Sequence, residues 1–364
     1  MRLLFVMDTL AAGGAQRQMV NLALGLHYRG HEVKLFRYLP GDTLLPFLEE
    51  AHIAVNTYFR QSRYDLRVFA ELRNVIRSEQ FDIVLSYLPH SNFYAIIATQ
   101  LAMSRSRVVI SERSTDVHKK QNWRVFLFRQ FYRWADHVVI NSHHQRIYLS
   151  RKYPWLSCKT STIYNGLDLD TFHPPVSEPD ESPLKLLAIG SVHRTKNAKC
   201  LVEALAILRD NYSLCPQLNW AGRHFNSYSQ EIDQMIKHHS LETQWRWLGE
   251  RIDIVSMLHD HHALVHTSYV EGLPNVVCEA LACGRPVIIS DILDHPRLVQ
   301  DGKTGFLFNW ENPQALAERI RDFLALSVER RHEMGRDARK FAEEKLSLDR
   351  LAGDYETLFC SLLK

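Results

Sequence analysis

Glu271-Gly272-Leu273-Pro274-Asn275-Val276-Val277-Cys278-Glu279 follows an apolar run, Ala263–Thr267, that closes on His266-Thr267-Ser268. An apolar run, a Gly/Pro turn and a helical pattern in that order read as strand, loop and helix. Pro274 suits the opening of a helix, where its missing N–H would have no partner anyway. The predicted helix runs from Asn275 to Cys283 and stops at Gly284. Its open N–H groups and positive dipole end make a ready phosphate site. Glu271 lies just before the helix and Glu279 about one turn inside it. Such carboxylates can each accept paired hydrogen bonds from vicinal hydroxyls of a sugar or ribose. A plainer reading, acids that steady the helix dipole, stays open at this point.

The same rhythm extends in both directions. In the second half, Lys185–Gly190, Leu218–Ala221, Ala263–Thr267 and Pro286–Ser290 read as strands separated by helical stretches. Toward the N-terminus, buried strands are expected at residues 2–7, Val33–Arg37, Asp82–Tyr87, Val108–Glu112, His137–Asn141 and Thr160–Tyr164. The first is followed by a glycine loop and an amphipathic helix from Gln16 to Arg29, with Gly30 as its C-terminal stop. Alternating strands and helices predict an α/β chain with parallel sheets covered on both faces. The acidic, proline-rich stretch His173–Pro183 breaks the pattern and reads as a linker. Two Rossmann-like halves, with a cleft outside the carboxyl ends of their strands, are the resulting expectation. From Val328 to Leu363 the chain reads as charged helix.

Composition agrees with two soluble domains: 364 residues, 46% hydrophobic and 23% charged. The six cysteines show neither a CxxC pair nor a framework spacing, which suggests a reduced, cytosolic chain. Arg2–Met7 already reads as a buried strand rather than a leader, and no apolar run reaches the eighteen residues of a membrane span. Net charge is +3 but uneven: residues 1–165 carry 22 Lys+Arg against 12 Asp+Glu, the remainder 22 against 29. A basic first half suits an anionic substrate or surface, or is simply a solvated face.

With its following segment Ala280-Leu281-Ala282-Cys283-Gly284-Arg285-Pro286-Val287, the opening stretch resembles the retaining glycosyltransferases of family 4. The resemblance extends through Gly13-Gly14-Ala15-Gln16-Arg17, Asn165-Gly166-Leu167-Asp168 with Phe172, Gly190 with Lys196-Asn197, and Asp301–Phe306. It implies the GT-B fold: an acceptor domain over residues 1–170, a linker at 171–184 and a donor domain at 185–345. A C-terminal helix, 346–364, would return toward the first domain. It also implies that Glu279 binds the donor ribose, that Glu271 contacts the transferred sugar and that Lys196 pairs with the diphosphate. Backbone amides near Leu273, Asn275 and Val276 would hold the diphosphate. The family's usual Gly-Arg-x-x-x-x-Lys is Gly190-Ser191-Val192-His193-Arg194-Thr195-Lys196 here, so Ser191 stands at the clamping arginine. Arg194 is the expected substitute, since an arginine fork suits phosphate. Gly14 follows the first strand, where glycine lets backbone approach the donor phosphate or the acceptor, or forms a plain tight turn.

Ser111-Glu112-Arg113-Ser114 through His118 is similar to the Ser-Glu-His-Ser segment of bacterial transferases that extend polyprenyl-diphosphate-linked glycans, with Arg113 replacing the histidine. Glu112, Arg113 and His118 are the expected acceptor contacts, or a polar loop with a helix cap. Lys119–Trp134 interleaves basic and aromatic residues, as a membrane-surface helix or as core. Asp168-Leu169-Asp170 and His259-Asp260-His261-His262 imitate metal ligands, but the resemblance implies no essential metal and no cofactor. The expected co-substrate is a nucleotide diphosphate sugar, UDP-linked, and the expected acceptor a lipid-linked glycan of surface polysaccharide, capsule or lipopolysaccharide synthesis. The expected location is cytoplasmic, with peripheral contact at the inner membrane face. No groove-reading motif suggests nucleic acid. A non-catalytic partner subunit and a GT-B epimerase remain alternative readings.

Overall fold

A computed structural model of the chain describes residues 1–62, 65–113, 123–180 and 183–364. It divides into two compact units: unit one is Met1–Gly166 with Leu348–Lys364, and unit two is Leu167–Ser347.

Unit one holds seven strands: β1 (Arg2–Met7), β2 (Glu32–Arg37), β3 (Ala54–Thr57), β4 (Ile83–Tyr87), β5 (Arg107–Glu112), β6 (His137–Ile140) and β7 (Thr160–Thr162). Unit two holds β8 (Lys185–Ile189), β9 (Gln217–Ala221), β10 (Trp245–Gly249), β11 (Ala263–His266), β12 (Val287–Ser290) and β13 (Gly305–Phe308). All pairings are parallel, in the orders β3-β2-β1-β4-β5-β6-β7 and β10-β9-β8-β11-β12-β13. Each sheet is therefore doubly wound, with its order reversing between β1 and β4 and between β8 and β11. Ligands of such sheets bind outside the carboxyl ends of the strands at that reversal.

Inner strands are apolar on both faces because helices cover both; β1 buries Leu3, Leu4, Phe5, Val6 and Met7 completely. The Gly14–Tyr28 helix turns Met19, Leu22, Ala23 and Leu26 inward, at the spacing of one helical face. These pack in one core with Leu351, Ala352, Tyr355 and Phe359 of the Leu348–Leu363 helix. The last helix is thus built into the first unit's hydrophobic core.

Sequence boundaries shift in three places. The division falls at Gly166/Leu167 rather than near residue 170. The proline-rich stretch, read as a free linker, belongs with unit two as far as it is described: Glu178 pairs at 2.5 Å with Arg285, whose side chain is only 4% exposed. A buried guanidinium needs a counter-charge, and the stretch supplies one. The helix after the Glu271 turn starts at Asn275 as expected, with Pro274 as its N-cap, and ends at Ala282 rather than Cys283.

Candidate active site

The loops leaving β8 and β11 meet at the reversal point of unit two. After β8 the chain turns at Gly190 (φ +144°), which a side chain would enter only with strain. A Cβ there would also lie 3.1 Å from Lys196 Cε, so glycine leaves room for that lysine. A single 3-10 turn, Arg194–Lys196, precedes Asn197 (φ +53°) and the Ala198–Tyr212 helix. After β11, Thr267 donates to the carbonyl of Lys196 at 2.7 Å and the Tyr269 amide to that of Thr195 at 3.0 Å. The two loops are stitched together by these bonds.

The result is a compact charged cluster. Lys196 Nζ donates to Glu271 Oε1, which also accepts from Ser268 Oγ at 3.1 Å. His266 Nε2 lies 3.4 Å from the same oxygen. Lys196 and Glu271 keep 21% and 18% of their side chains exposed, so the pair is reachable from outside. Behind it the His295 ring packs edge-on to His266 at 5.7 Å, its Nδ1 2.8 Å from the Ser290 carbonyl. Burial pushes the Glu271 carboxyl up, but contact with His266 and the charge of Lys196 outweigh it. The group is held well below the usual carboxylate range. Burial lowers both imidazoles, His295 to about 3. A carboxylate and an ammonium backed by two neutral rings are what the reversal point offers a ligand.

Beside this cluster begins the Asn275–Ala282 helix. Its first bonds run from the Val277 and Cys278 amides to the Pro274 carbonyl, so its open end lies at Asn275 and Val276. No acid occupies its first turn and no side chain caps it, which leaves the positive dipole end for an external anion. Leu273 is buried beneath the turn, while Glu279 is half-buried one turn along. Ser191 is half-buried in the Gly190 loop.

Arg194 does not join them. Its side chain is 70% exposed, pairs with Glu231 at 2.9 Å and lies 5.0 Å over the Tyr228 ring. The expected substitution for the missing arginine is not made in this arrangement. The sequence reading missed His266, Ser268 and His295. The first two stand in its quoted strand end, but nothing in the spacing marks them as neighbours of Glu271.

In unit one, Gly14 opens the helix after β1, next to the reversal between β1 and β4. Glu112 and Arg113 stand instead at the end of β5, one strand further along. Glu112 is completely buried: Arg129 donates to both of its oxygens at 3.1 Å and the Tyr132 hydroxyl to Oε1. This corrects the acceptor assignment, because a sealed carboxylate with three donors is an internal anchor. Of the two readings of Lys119–Trp134, Arg129 itself fits the core one. Arg113 reaches Ser111 Oγ (2.9 Å), Asn165 Oδ1 and the Tyr355 hydroxyl (3.0 Å) and covers the Tyr87 ring at 4.1 Å. It ties β5 to the last helix, which is a structural role. His118 lies outside the described residues. Of the basic aromatic stretch, Phe126, Leu127 and Trp134 are exposed and Tyr132 is buried.

The histidines of the 259–262 stretch face separate partners: His259 the His173 carbonyl, His261 Met257 and Asn219, His262 the Lys185 amide. Asp168 caps its own turn through the Asp170 amide and Thr171 hydroxyl. Among the described residues no three His, Cys, Asp or Glu side chains group around a common metal position. No helix there is long and apolar enough to cross a membrane.

Comparison with known proteins places this geometry. Residues 12–171 match the model of Glycosyltransferase Family 4, and residues 170–341 that of Glycosyl transferases group 1. The chain is 26% identical over 333 residues to an α-1,4-N-acetyl-D-galactosaminyltransferase of Campylobacter jejuni whose named substrate is a PP-undecaprenol-linked glycan, covering 88% of each chain. It is 23% identical over 380 residues to the N-acetyl-α-D-glucosaminyl L-malate synthase of Bacillus anthracis, covering 97% and 95%. A glycosyltransferase structure from Rickettsia africae superposes with a TM-score of 0.84 at 19% identity, covering 100% and 98%. Anabaena HepE, solved with UDP, gives 0.83 at 21%, covering 99% and 100%. Both structures share the fold.

Proposed function

The chain belongs to the glycosyltransferases, family 4 in its first half and group 1 in its second, and from that premise we propose a retaining transfer from a UDP-sugar to a lipid-linked glycan. The observation that carries the reading is the meeting of Lys196 and Glu271 at the reversal point, beside an open helix end. The sugar would be a hexose or N-acetylhexosamine, and the product a surface polysaccharide. The acceptor class follows the lipid-linked substrates in the names of the Campylobacter relatives. UDP follows the HepE complex.

In this reading the donor diphosphate sits over Asn275 and Val276 and takes a hydrogen bond from Lys196. As the sugar–phosphate bond breaks, its electron pair passes to the diphosphate, where the ammonium and the helix end meet the growing charge. Fixed dipoles and cations placed where charge develops usually supply the largest catalytic effect. The acceptor oxygen bonds to the anomeric carbon on the face being vacated, and its proton leaves with the diphosphate. Glu271, ionised throughout, accepts hydroxyl hydrogen bonds from the sugar, and Glu279 those of the ribose. Ser191 and the backbone at Leu273 border the donor. The exposed Phe126, Leu127 and Trp134 support peripheral contact with the membrane that carries the acceptor. No metal step is invoked.

Calorimetry with UDP, GDP and ADP on wild type, Lys196→Ala and Glu279→Ala tests the assignment. Saturable binding of UDP by wild type, weakened about tenfold or more in both variants, is the expected result. Unchanged binding in both would remove these residues from the donor site.

A further inference from the structure

The amino-end side of the unit two sheet carries a cavity of about 300 Å³. His262 and Pro286, which precede β11 and β12, line it, whereas Lys196 and Glu271 follow β8 and β11 at the carboxyl ends. None of Lys196, Glu271 and Glu279 borders it.

Its outer wall is the Val328–Lys345 helix, where His332, Arg336 and Lys340 recur every four residues and so share one face. Between them and Arg339 lies Gly335. A Cβ there would stand 2.4 Å from the Gly284 carbonyl oxygen, so only glycine lets the helix pack backbone to backbone against the Gly284 turn.

The charges in the hollow are not balanced. Arg285, Arg331, Arg336, Arg339 and Lys340 face only Glu178 and Glu343 among the lining residues. Glu178 is engaged by Arg285 Nη1 and Glu343 by Arg339 Nε at 2.7 Å. Arg336 and Lys340 are exposed and take part in no ion pair among the described residues. Arg285 is 4% exposed, yet its Nε has no hydrogen-bond partner in the structure. A buried guanidinium N–H with no acceptor carries a desolvation cost that an anion in the cavity would remove. A simple solvated basic face would be convex and would not bury such a donor.

We propose that this cavity is a second anion site, separate from the donor site, that takes a phosphate ester or diphosphate group. Arg336 and Lys340 are the entry cations, and Arg285 Nε is the donor at its base. Phosphate chemistry fits because several cations converge on one small volume, and guanidinium forks and an ammonium together match phosphate oxygens. The same headgroup chemistry occurs on free phosphate compounds and on anionic lipids, and the experiment separates these sources.

The full chain carrying Lys196→Ala, which removes a donor-site cation, is compared with the same chain also carrying Arg336→Gln and Lys340→Gln. Both added positions are exposed, so an unchanged melting temperature is expected and is checked. Pyrophosphate is titrated by calorimetry at low salt. Sedimentation with phosphatidylglycerol/phosphatidylcholine vesicles, against phosphatidylcholine alone, forms the second arm. Pyrophosphate binding at least about tenfold weaker in the triple variant supports the site with a free ligand. Loss of sedimentation with the anionic vesicles in the triple variant supports the site with a lipid headgroup. Equal behaviour of the two proteins in both arms, including no binding by either, overturns it. Because Lys196 is absent from both proteins, the result does not depend on the donor assignment.

Discussion

Both sheets end in charged residues at the carboxyl edge, yet the two clusters do opposite things. At β5, Glu112 and Arg129 form a forked pair with no exposed surface, completed by Tyr132. At β8 and β11, Lys196 and Glu271 also pair, but a fifth of each side chain remains open. The first pair lies one strand beyond the reversal of its sheet; the second lies on it. A charged strand end therefore becomes a site through its place in the strand order and the access left to it. Residue type alone does not decide.

The largest test of that contrast is Glu112→Ala, which leaves Arg129 buried without its counter-charge. Breaking such a pair costs about 3–5 kcal/mol. Urea unfolding should show a loss of that size, with the donor affinity of the folded protein unchanged; a wild-type unfolding midpoint would break the comparison. Lys196→Ala should do the reverse. Turnover is expected to fall about 100- to 1,000-fold, as when one preorganised donor to a developing anion is removed, with the melting temperature nearly constant. Product assays beside thermal melts check both halves of the statement.

The pH dependence gives a sharper, smaller test. His266 and His295 are held neutral in the fold, below their ordinary value of 6.5. The unfolded chain thus binds more protons as pH drops below 6.5. Their contribution to stability is complete above that value and is lost on acidification, with the His295 part running down to about 3. Glu271 adds to the same trend below its ordinary 4.5, since its carboxyl is depressed in the fold. Each proton contributes a slope of up to about 1.4 kcal/mol per pH unit. Denaturation midpoints between pH 7 and 4 should fall less steeply in His295→Gln than in wild type; parallel slopes would show that the ring is not held neutral. Smallest in energy, Glu279→Ala should weaken UDP about tenfold, or about 1.4 kcal/mol, while leaving turnover at saturating donor close to wild type, equivalent to one hydrogen bond to a charged group. A turnover defect at saturation would move Glu279 from holding the donor to the reacting centre.

The sequence showed the inner strands and one edge, β7, and missed the other three edges. β3, β10 and β13 went unread as strands, and each is the outermost strand of its sheet. An inner parallel strand is buried on both faces and reads as an unbroken apolar run, as in Leu3–Met7. Ala54-Val55-Asn56-Thr57 is half-exposed, and Gly305–Phe308 begins inside Asp301–Phe306, a stretch quoted only for the family resemblance. The Glu271–Glu279 stretch was legible because strand end, turn and helix are contiguous there. Glu112 was misread because its partners lie 17 and 20 residues away on a separate helical segment. Arg194 was misread for a related reason: the family pattern put it near the phosphate site, while its ring contact and ion pair come from the Ser227–His238 helix.

The inclusion of Leu348–Lys364 in unit one bears on the order in which the chain can mature. Unit two is one continuous segment and can close its core as soon as residue 347 has left the ribosome. Unit one, although synthesised first, lacks Leu351, Tyr355 and Phe359 until the final helix emerges, and domains generally fold as units during synthesis. The earlier-made half is therefore the later to be finished. In the interval, the surface that Tyr355 and Phe359 will cover remains open to chaperones and to neighbouring nascent chains.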